Sequence, residues 1–225
     1  MLLTKGAMML KKIAMYAIIL MAGSLAVMAQ IPGNLMNWDN AIIAKANTAL
    51  ETSYLSEDEK MVILYANLAR ENGPLFAETF LTEYIRLKNL KSTQYTRSLY
   101  SDLKNVRNLP MLVPERDLYD GARDHASWSG KKGYEGHKGF KTRFKSLMNK
   151  YNEVGENIYY GEYTPIEIVI QLMIDEGITD LGHRENLLNP RFNSIGVAIK
   201  PHKDFEYNCV MGFGMTPRTY LDYIE

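Results

Sequence analysis

Apolar residues recur at helical spacing through the first half of the chain, from about residue 39 to residue 105. Ser56 is followed three positions later by Glu59, the capping-box pattern that predicts the start of a helix continuing to Glu71. Asn72-Gly73-Pro74 ends that helix, and a second apolar stripe after it predicts another. The first half of the chain is therefore predicted to be helical.

The second half of the chain mixes helices with strands. Pro114 can begin a helix that ends near Gly130, and Thr164-Pro165 begins a strongly apolar helix that continues to Glu176. Three runs rich in β-branched or aromatic residues predict strands, namely Ile158–Tyr160, Ser194–Ile199 and Tyr207–Phe213. Helices that precede a few late strands favour an α+β fold with a small antiparallel sheet covered by helices.

Charge and cysteine content narrow the possible functions. The chain has 225 residues, with 26 basic and 26 acidic side chains. Its first 29 residues hold three lysines and no acid, so the remainder carries 23 basic and 26 acidic groups, a net charge of −3. We therefore expect no nucleic-acid partner, because no basic excess remains to neutralise phosphates. The single cysteine, Cys209, excludes an internal disulfide.

The N-terminus has the pattern of a signal peptide. Lys11 and Lys12 precede an uncharged apolar run, Ile13–Ala29, which ends in the small residues that a signal peptidase recognises. We predict a signal peptide over residues 1–29 and export of a bacterial protein that is secreted or stays in the periplasm or cell envelope. A membrane anchor is the alternative, because the run approaches spanning length. Residues 30–55 are then predicted to form an N-terminal helical extension.

Imidazole and carboxylate groups that could carry chemistry lie in the second half of the chain. His137 is in a Gly-flanked loop, Glu156 is in Gly155-Glu156-Asn157, and His183 follows Gly182. The apolar helix ends in an acid, Asp175 or Glu176. Two imidazoles and two carboxylates form either a divalent-metal site or a general acid/base set when they meet. Spacing alone does not decide whether these four residues come together.

The combined pattern resembles the CAP superfamily, which comprises cysteine-rich secretory, antigen 5 and pathogenesis-related-1 proteins and is also called SCP-like, in its bacterial secreted branch. The residues that carry the resemblance are Asn67-x-x-Arg70, His137, Gly155-Glu156-Asn157-Ile158, Gly182-His183-Arg184-x-Asn186-Leu187-Leu188-Asn189-Pro190 and Ile195-Gly196-Val197. The resemblance implies a CAP domain over residues 56–225, with a helical insertion at about 74–105.

That resemblance also implies a fold and a site. The fold is a three-layer α-β-α sandwich with an antiparallel sheet in the middle, to which this chain adds N-terminal helices. The site is a central cavity lined by His137, Glu156, His183 and an acid, for which we prefer Asp175, on the Ile168/Leu172 face, over Glu176. His137 and His183 are the expected ligands of zinc or another divalent metal. His125, Asn157 and Arg184 are expected to support this cavity.

The other two histidines differ in their expected surroundings. His125 shares a helical face with Leu118 and Ala122, so we predict that it is buried and satisfied by a hydrogen bond. His202, in Lys200-Pro201-His202-Lys203-Asp204, is predicted to lie exposed at a hairpin tip.

Three functions are compatible with this sequence. The favoured one is a cavity-bearing module that binds a divalent metal and, as a further expectation, a small or lipid-like ligand. The second is a peptidase-like hydrolase that uses metal- or histidine-activated water with Glu156 or His137 as base, because no serine lies between Ser146 and Ser194 and H-E-x-x-H is absent. The third is a non-catalytic protein that interacts with an envelope or host partner.

Overall fold

The computed structural model describes residues 33–217, so the predicted signal peptide lies outside the described residues. The chain divides into two units, with the boundary between Trp38 and Asp39. In the first unit the described part contains a short 3-10 helix, Gly33–Asn37. Within residues 33–217, no helix combines the length and apolar composition needed to cross a bilayer.

The helices predicted around Ser56, Pro74, Pro114 and Thr164-Pro165 are present in the second unit. Ser56 and Glu59 form the expected capping box, because each side chain bonds to the other residue's backbone N–H. The helices are α1 Asn40–Ala46, α2 Glu57–Glu71, α3 Gly73–Phe76, α4 Thr82–Leu87, α5 Gln94–Leu103, α6 Arg116–Lys132, α7 Phe140–Arg143, α8 Pro165–Ile174 and α9 Gly182–Leu188. A π-helical turn, Ala77–Leu81, joins α3 to α4, and a 3-10 turn, Leu147–Asn149, follows α7.

Four strands form one sheet in the order β1-β3-β4-β2. They are β1 Val113–Pro114, β2 Glu153–Tyr160, β3 Ser194–His202 and β4 Glu206–Met215. The three long strands are antiparallel, as the sequence predicts. The two-residue β1 adds a parallel pairing to β3, so the sheet is mixed, and this short strand has no sequence signal of its own. β2 begins five residues before the predicted strand, so Glu156 lies inside it.

Helices cover both faces of this sheet, which confirms the α+β class. Helix α6 packs on β3 and β4, while α2, α8 and α9 contact the sheet from the other layer. Close approach of α6 depends on Gly196 of β3, since a Cβ atom there would overlap the backbone of Leu118 and Tyr119. The main core lies between the sheet and its helices, and its fully buried members include Val62, Ile63, Leu68, Ile168, Ile195, Val197 and Phe213.

The Asn67-x-x-Arg70 pair of α2 holds together segments that are distant in sequence. Asn67 donates to the carbonyls of Ala46 and Leu112 and accepts from the Leu112 N–H. Arg70 is fully buried and donates to four backbone carbonyls, those of Pro110, Leu187, Asn189 and Phe192. Burial lowers the pKa of Arg70 to about 10. Arg70 thereby fixes the end of α9, the helix that carries His183.

Candidate functional site

The candidate site lies at the free edge of β2, the last strand in the sheet order. Successive side chains of a strand point to opposite faces, so Glu156 and Asn157 contact different layers. Glu156 pairs with the loop before α7, which carries His137. Asn157 donates from Nδ2 to the backbone carbonyl of His183 and accepts from Asn186, both in α9. The edge strand therefore connects both predicted histidine segments.

The first half of the site is a histidine, a carboxylate and a guanidinium. Nδ1 of His137 lies 2.9 Å from Oε1 of Glu156, and Arg143 donates to both oxygens of Glu156 at 2.6 and 2.8 Å. The Glu156 side chain is 1% exposed, whereas that of His137 is 44% exposed. Burial alone raises the pKa of Glu156, but the hydrogen bonds from Arg143 and His137 and the Arg143 charge outweigh it, so this pKa is lowered. Glu156 is therefore an ionised acceptor, and His137 donates through Nδ1.

The second half of the site is a histidine and an aspartate. Nδ1 of His183 lies 2.7 Å from Oδ1 of Asp175, and Oδ2 of Asp175 accepts from the His183 backbone N–H at 3.0 Å. Asp175 caps α8 in the left-handed region, with φ 57°, and is buried. Glu176, the alternative acid, is exposed and accepts from Thr93 instead. The structure therefore brings Asp175, not Glu176, to His183.

The two imidazoles lie close to one another in the site. Their ring centroids are 6.4 Å apart and their planes differ by 32°. Because both Nδ1 atoms bond to carboxylates, each ring has its Nε2 available, and neither Nε2 has a hydrogen-bond partner among residues 33–217. Imidazole nitrogens held in this way suit metal coordination or proton transfer. No group of three or more His, Cys, Asp or Glu side chains in the described part of the chain is arranged to hold a metal ion.

The loop that carries His137 is held by Gly136, whose N–H and carbonyl are both bonded to side chains. Tyr160 accepts from the Gly136 N–H at 2.7 Å, and Nε2 of His125 lies 3.1 Å from the Gly136 carbonyl. His125 is buried, as the sequence predicts. Its pKa is lowered, mainly because of this burial and to a smaller extent because of the positive charge of Arg143. Gly136 has φ 98°, which favours glycine. His125 is thus a support for the loop and does not contact His137 through a hydrogen bond.

The prediction for His202 is wrong. Its side chain is buried, with 4% of its surface exposed, because it folds back against the rings of Tyr160 and Phe205. Nδ1 of His202 accepts from the Asp204 N–H, so Nε2 donates to the Tyr134 carbonyl at 3.2 Å. The turn follows His202 and does not contain it. His202 therefore also supports the loop that precedes His137.

Arg184 holds the start of α9 without reaching the imidazoles. It donates to the carbonyls of Met173 and Ile174 at the end of α8, and to Asp102 and Ser98 of α5. Sequence reasoning did not identify the Glu156 partner Arg143 or the loop support Tyr160. The only signal for Arg143 is its place in a basic segment six residues after His137.

A groove of about 500 Å³ adjoins the second half of the site. Three segments form it: the chain around α4 and α5, the end of β2, and α8 with its C-cap. Its apolar lining residues are Leu90, Ile158, Leu172, Ile174 and Ile178, and His183 and Asp175 also line it. Its volume is in the range of small-molecule sites, and its lining also includes the polar residues Lys91, Thr93, Thr96, Gln171 and Glu176.

No Ser, Thr or Cys side chain of the described residues hydrogen-bonds to either site imidazole. Cys209 is fully buried in β4, where burial raises the pKa of its thiol. The site therefore has histidine and carboxylate groups, but no side-chain nucleophile bonded to them.

Comparison with known proteins identifies relatives of this chain. The sequence profile of the CAP family, described as the cysteine-rich secretory protein family, matches residues 82–213, which is more than half of the chain. That match begins inside the predicted insertion at 74–105 and leaves α2 outside. Over 54 residues, the chain is 47% identical to the uncharacterized protein YkwD of Bacillus subtilis (strain 168). Those residues are 24% of this chain and 19% of that relative, so the chain spans about a fifth of its length.

Two solved structures also resemble the protein. An outer surface protein from Borrelia burgdorferi is 21% identical with a TM-score of 0.41, over 57% of this chain and 97% of that one. An extracellular protein containing a SCP domain from Bacillus anthracis str. Ames is 22% identical with a TM-score of 0.40, over 56% of this chain and 45% of that one.

Proposed function

The chain belongs to the CAP family, and from that premise we propose that it is an exported protein whose His137–His183 site binds a divalent metal, with zinc as the best fit. One observation carries the proposal: each imidazole bonds through Nδ1 to a buried carboxylate and keeps Nε2 available. The centroids of the two rings are 6.4 Å apart. Ligating histidines usually bond to a carboxylate or carbonyl in this way.

The distance between the rings tests the fit of this donor set. With Zn–N bonds of about 2.1 Å, an ion shared by both Nε2 atoms lies about 3.2 Å from each ring centre. Two rings whose centroids are 6.4 Å apart can share one ion only if the Nε2–Zn–Nε2 angle is nearly straight. A tetrahedral angle requires the ring centroids to be about 5 Å apart. The rings must therefore approach by about 1 Å. The half-exposed His137, next to Gly136 and near Gly139, is the ring with more freedom to move.

The protein's own residues prepare this donor set. Arg143 keeps Glu156 ionised, and Glu156 in turn orients His137 so that Nε2 carries the lone pair. Asp175 does the same for His183. Zinc, when bound, supplies a positive charge that polarises a bound water or ligand oxygen. With two protein ligands, the remaining coordination positions are open to water or to a ligand.

The groove beside His183 supports the second part of the proposal, a small or lipid-like ligand. Its wall is mostly apolar, and its volume of about 500 Å³ lies within the range of small-molecule pockets. Because His183 and Asp175 line the groove, an apolar ligand bound there can place a polar group near the imidazoles.

Hydrolysis by histidine-activated water is a second candidate function. The half-exposed His137, oriented by an ionised Glu156, favours it because a carboxylate beside an imidazole makes the ring a better base. A panel of peptide, ester and cell-wall substrates tests this function. Any turnover should fall at least a hundredfold in Glu156→Gln, and activity that survives this substitution excludes Glu156.

Two neighbouring carboxylates give a matched test of metal binding. Asp175→Asn removes the side-chain oxygen that bonds to Nδ1 of His183 or replaces it by an amide, so we expect zinc affinity, measured by isothermal titration at pH 7.5, to fall at least tenfold. Glu176→Gln removes the same charge one residue away, on a side chain bonded to Thr93, and should leave zinc affinity within twofold. Equal affinity in the wild type, Asp175→Asn and His183→Gln would exclude this metal site.

A further inference from the structure

Charge is unevenly distributed along the described chain. Residues 33–217 carry 22 basic and 24 acidic side chains, a net charge of −2. The segment 131–150 alone has seven basic side chains and one acidic, a net charge of +6. The rest of the described chain therefore has 15 basic and 23 acidic side chains, a net charge of −8. A protein with no overall basic excess thus concentrates positive charge in twenty residues.

Five lysines of this segment are exposed and have no ion-pair partner among the described residues: Lys131, Lys132, Lys138, Lys141 and Lys145. We call them the basic face. The segment's other two cations, Arg143 and Lys150, are paired with carboxylates. Two acids lie nearby, Glu135 in the loop and Asp204 beside Gly133. Five lysines against two carboxylates leave a local surplus of three positive charges.

Backbone hydrogen bonds fold the segment that carries the basic face. The Tyr134 N–H donates to the Ser129 carbonyl at the end of α6, and the Arg143 N–H donates to the Gly139 carbonyl at the start of α7. The lysines at the end of α6 and Lys141 of α7 are thus joined by one short loop, which itself carries Lys138. That loop also carries His137.

Two exposed aromatic side chains lie within the same surface. Trp128 and Tyr134 are each 37% exposed, and their ring centroids are 5.2 Å apart. Nζ of Lys138 lies 5.2 Å from the Trp128 centroid and 5.4 Å from that of Tyr134. Trp and Tyr rings favour the boundary between lipid and water, and lysines there keep their charge at the headgroups. A soluble polyanion would use the lysines but would leave the aromatic pair exposed.

We propose that the basic face and the Trp128–Tyr134 pair dock the protein onto an anionic phospholipid bilayer. Each lysine near such a surface strengthens binding about fivefold, and the attraction decays within a Debye length. Because His137 lies in the sequence between Lys132 on one side and Lys138 and Lys141 on the other, docking brings its loop to the headgroup region. The proposal depends on the charges and exposed rings alone, so it stands or fails independently of the metal site.

Vesicle co-sedimentation tests the role of charge, using the protein as exported and an equal mixture of phosphatidylcholine and phosphatidylglycerol. Lys132→Gln with Lys141→Gln should weaken binding about twenty-five-fold at low salt, fivefold for each lysine. Lys104→Gln with Arg107→Gln removes the same charge from exposed positions outside the segment and should change binding less than twofold. Equal loss in both double variants, or equally tight binding to pure phosphatidylcholine, would overturn the proposal. Comparison within one chain cancels any contribution of the N-terminal segment.

Trp128 gives a second readout that distinguishes a bilayer from a soluble polyanion. Trp38→Phe leaves Trp128 as the only tryptophan. Its fluorescence should shift to the blue on anionic vesicles and be quenched by lipids brominated in the acyl chain, because the ring enters the interface. Binding to inorganic polyphosphate as tight as to vesicles, with Trp128 unchanged on both, would show a polyanion site and overturn bilayer docking.

Discussion

At the scale of single residues, the loop that carries His137 is positioned by side chains that bond to its backbone. Tyr160 and His125 bind the two backbone groups of Gly136, immediately before His137. An orphaned backbone N–H costs about 1–3 kcal/mol when it is shielded from water. The orientation of His137 therefore depends on the Tyr160 hydroxyl as well as on Glu156.

A matched pair of tyrosines tests this dependence. Tyr160→Phe removes the acceptor of the Gly136 N–H, so amide exchange at Gly136 should accelerate about fivefold and zinc affinity should fall severalfold. Tyr159→Phe also loses one hydroxyl, but that hydroxyl bonds to the Glu162 carbonyl, so both quantities should stay within twofold. Hydrogen exchange followed by NMR and zinc titration measure them. Unchanged amide exchange at Gly136 in Tyr160→Phe would show that the Tyr160 hydroxyl does not hold this loop.

At the scale of elements, the distance between α6 and the sheet is set by a glycine. Gly196 of β3 lies against the backbone of Leu118 and Tyr119, with no space for a Cβ. Gly212 pairs with Gly196 from β4. A Cβ atom added at Gly212 would lie at ordinary contact distances from Leu118 and Phe144. The layer that carries His125 can therefore pack closely on the strands.

Substitution of glycine by alanine should have opposite effects at two positions of this layer. Gly196→Ala forces α6 away from β3 and should lower the free energy of unfolding by about 2 kcal/mol or more. Gly121→Ala, inside α6 with nothing within 4 Å of the added methyl group, should raise it by roughly 0.5–1 kcal/mol. Urea denaturation measures both. A neutral Gly196→Ala would mean that α6 is not tightly packed there.

The Asn67-x-x-Arg70 motif shows what sequence reasoning can reach at this scale. Its residues were recognisable in the sequence as a pattern on a helix. Their role depends on carbonyls up to 122 residues away, because Arg70 bonds to Phe192 and Asn67 to Leu112. Helical periodicity places the two side chains on α2, but it does not state which distant backbone groups they satisfy.

At the scale of the whole molecule, acid should destabilise the protein in two steps. The fold lowers the pKa of His125 below its value of about 6.5 in the unfolded chain. The contribution of His125 to the free energy of unfolding is therefore complete above about pH 6.5, and it is lost as the pH falls through the pKa of the folded state. The fold also lowers the pKa of Glu156, whose value in the unfolded chain is about 4.3. Its contribution to the free energy of unfolding is therefore complete above about pH 4.3 and is lost as the pH falls further. The melting temperature should therefore fall from pH 7 to pH 3. The fall below pH 4.5 should be smaller in Glu156→Gln, and an unchanged melting temperature across the range would contradict both contributions.

The sequence by itself favoured Asp175 over Glu176 without deciding between them, and it determined the local features of this protein: the helix caps, the late strands and the family pattern. These depend on neighbouring residues, whose spacing sets periodicity and capping. Only the tertiary structure decided the pairing of Arg143 with Glu156, the 6.4 Å between the imidazoles, the burial of His202 and the groove beside His183. Each of these joins segments that are separated along the chain, so each depends on strand register and layer packing, which local patterns do not specify.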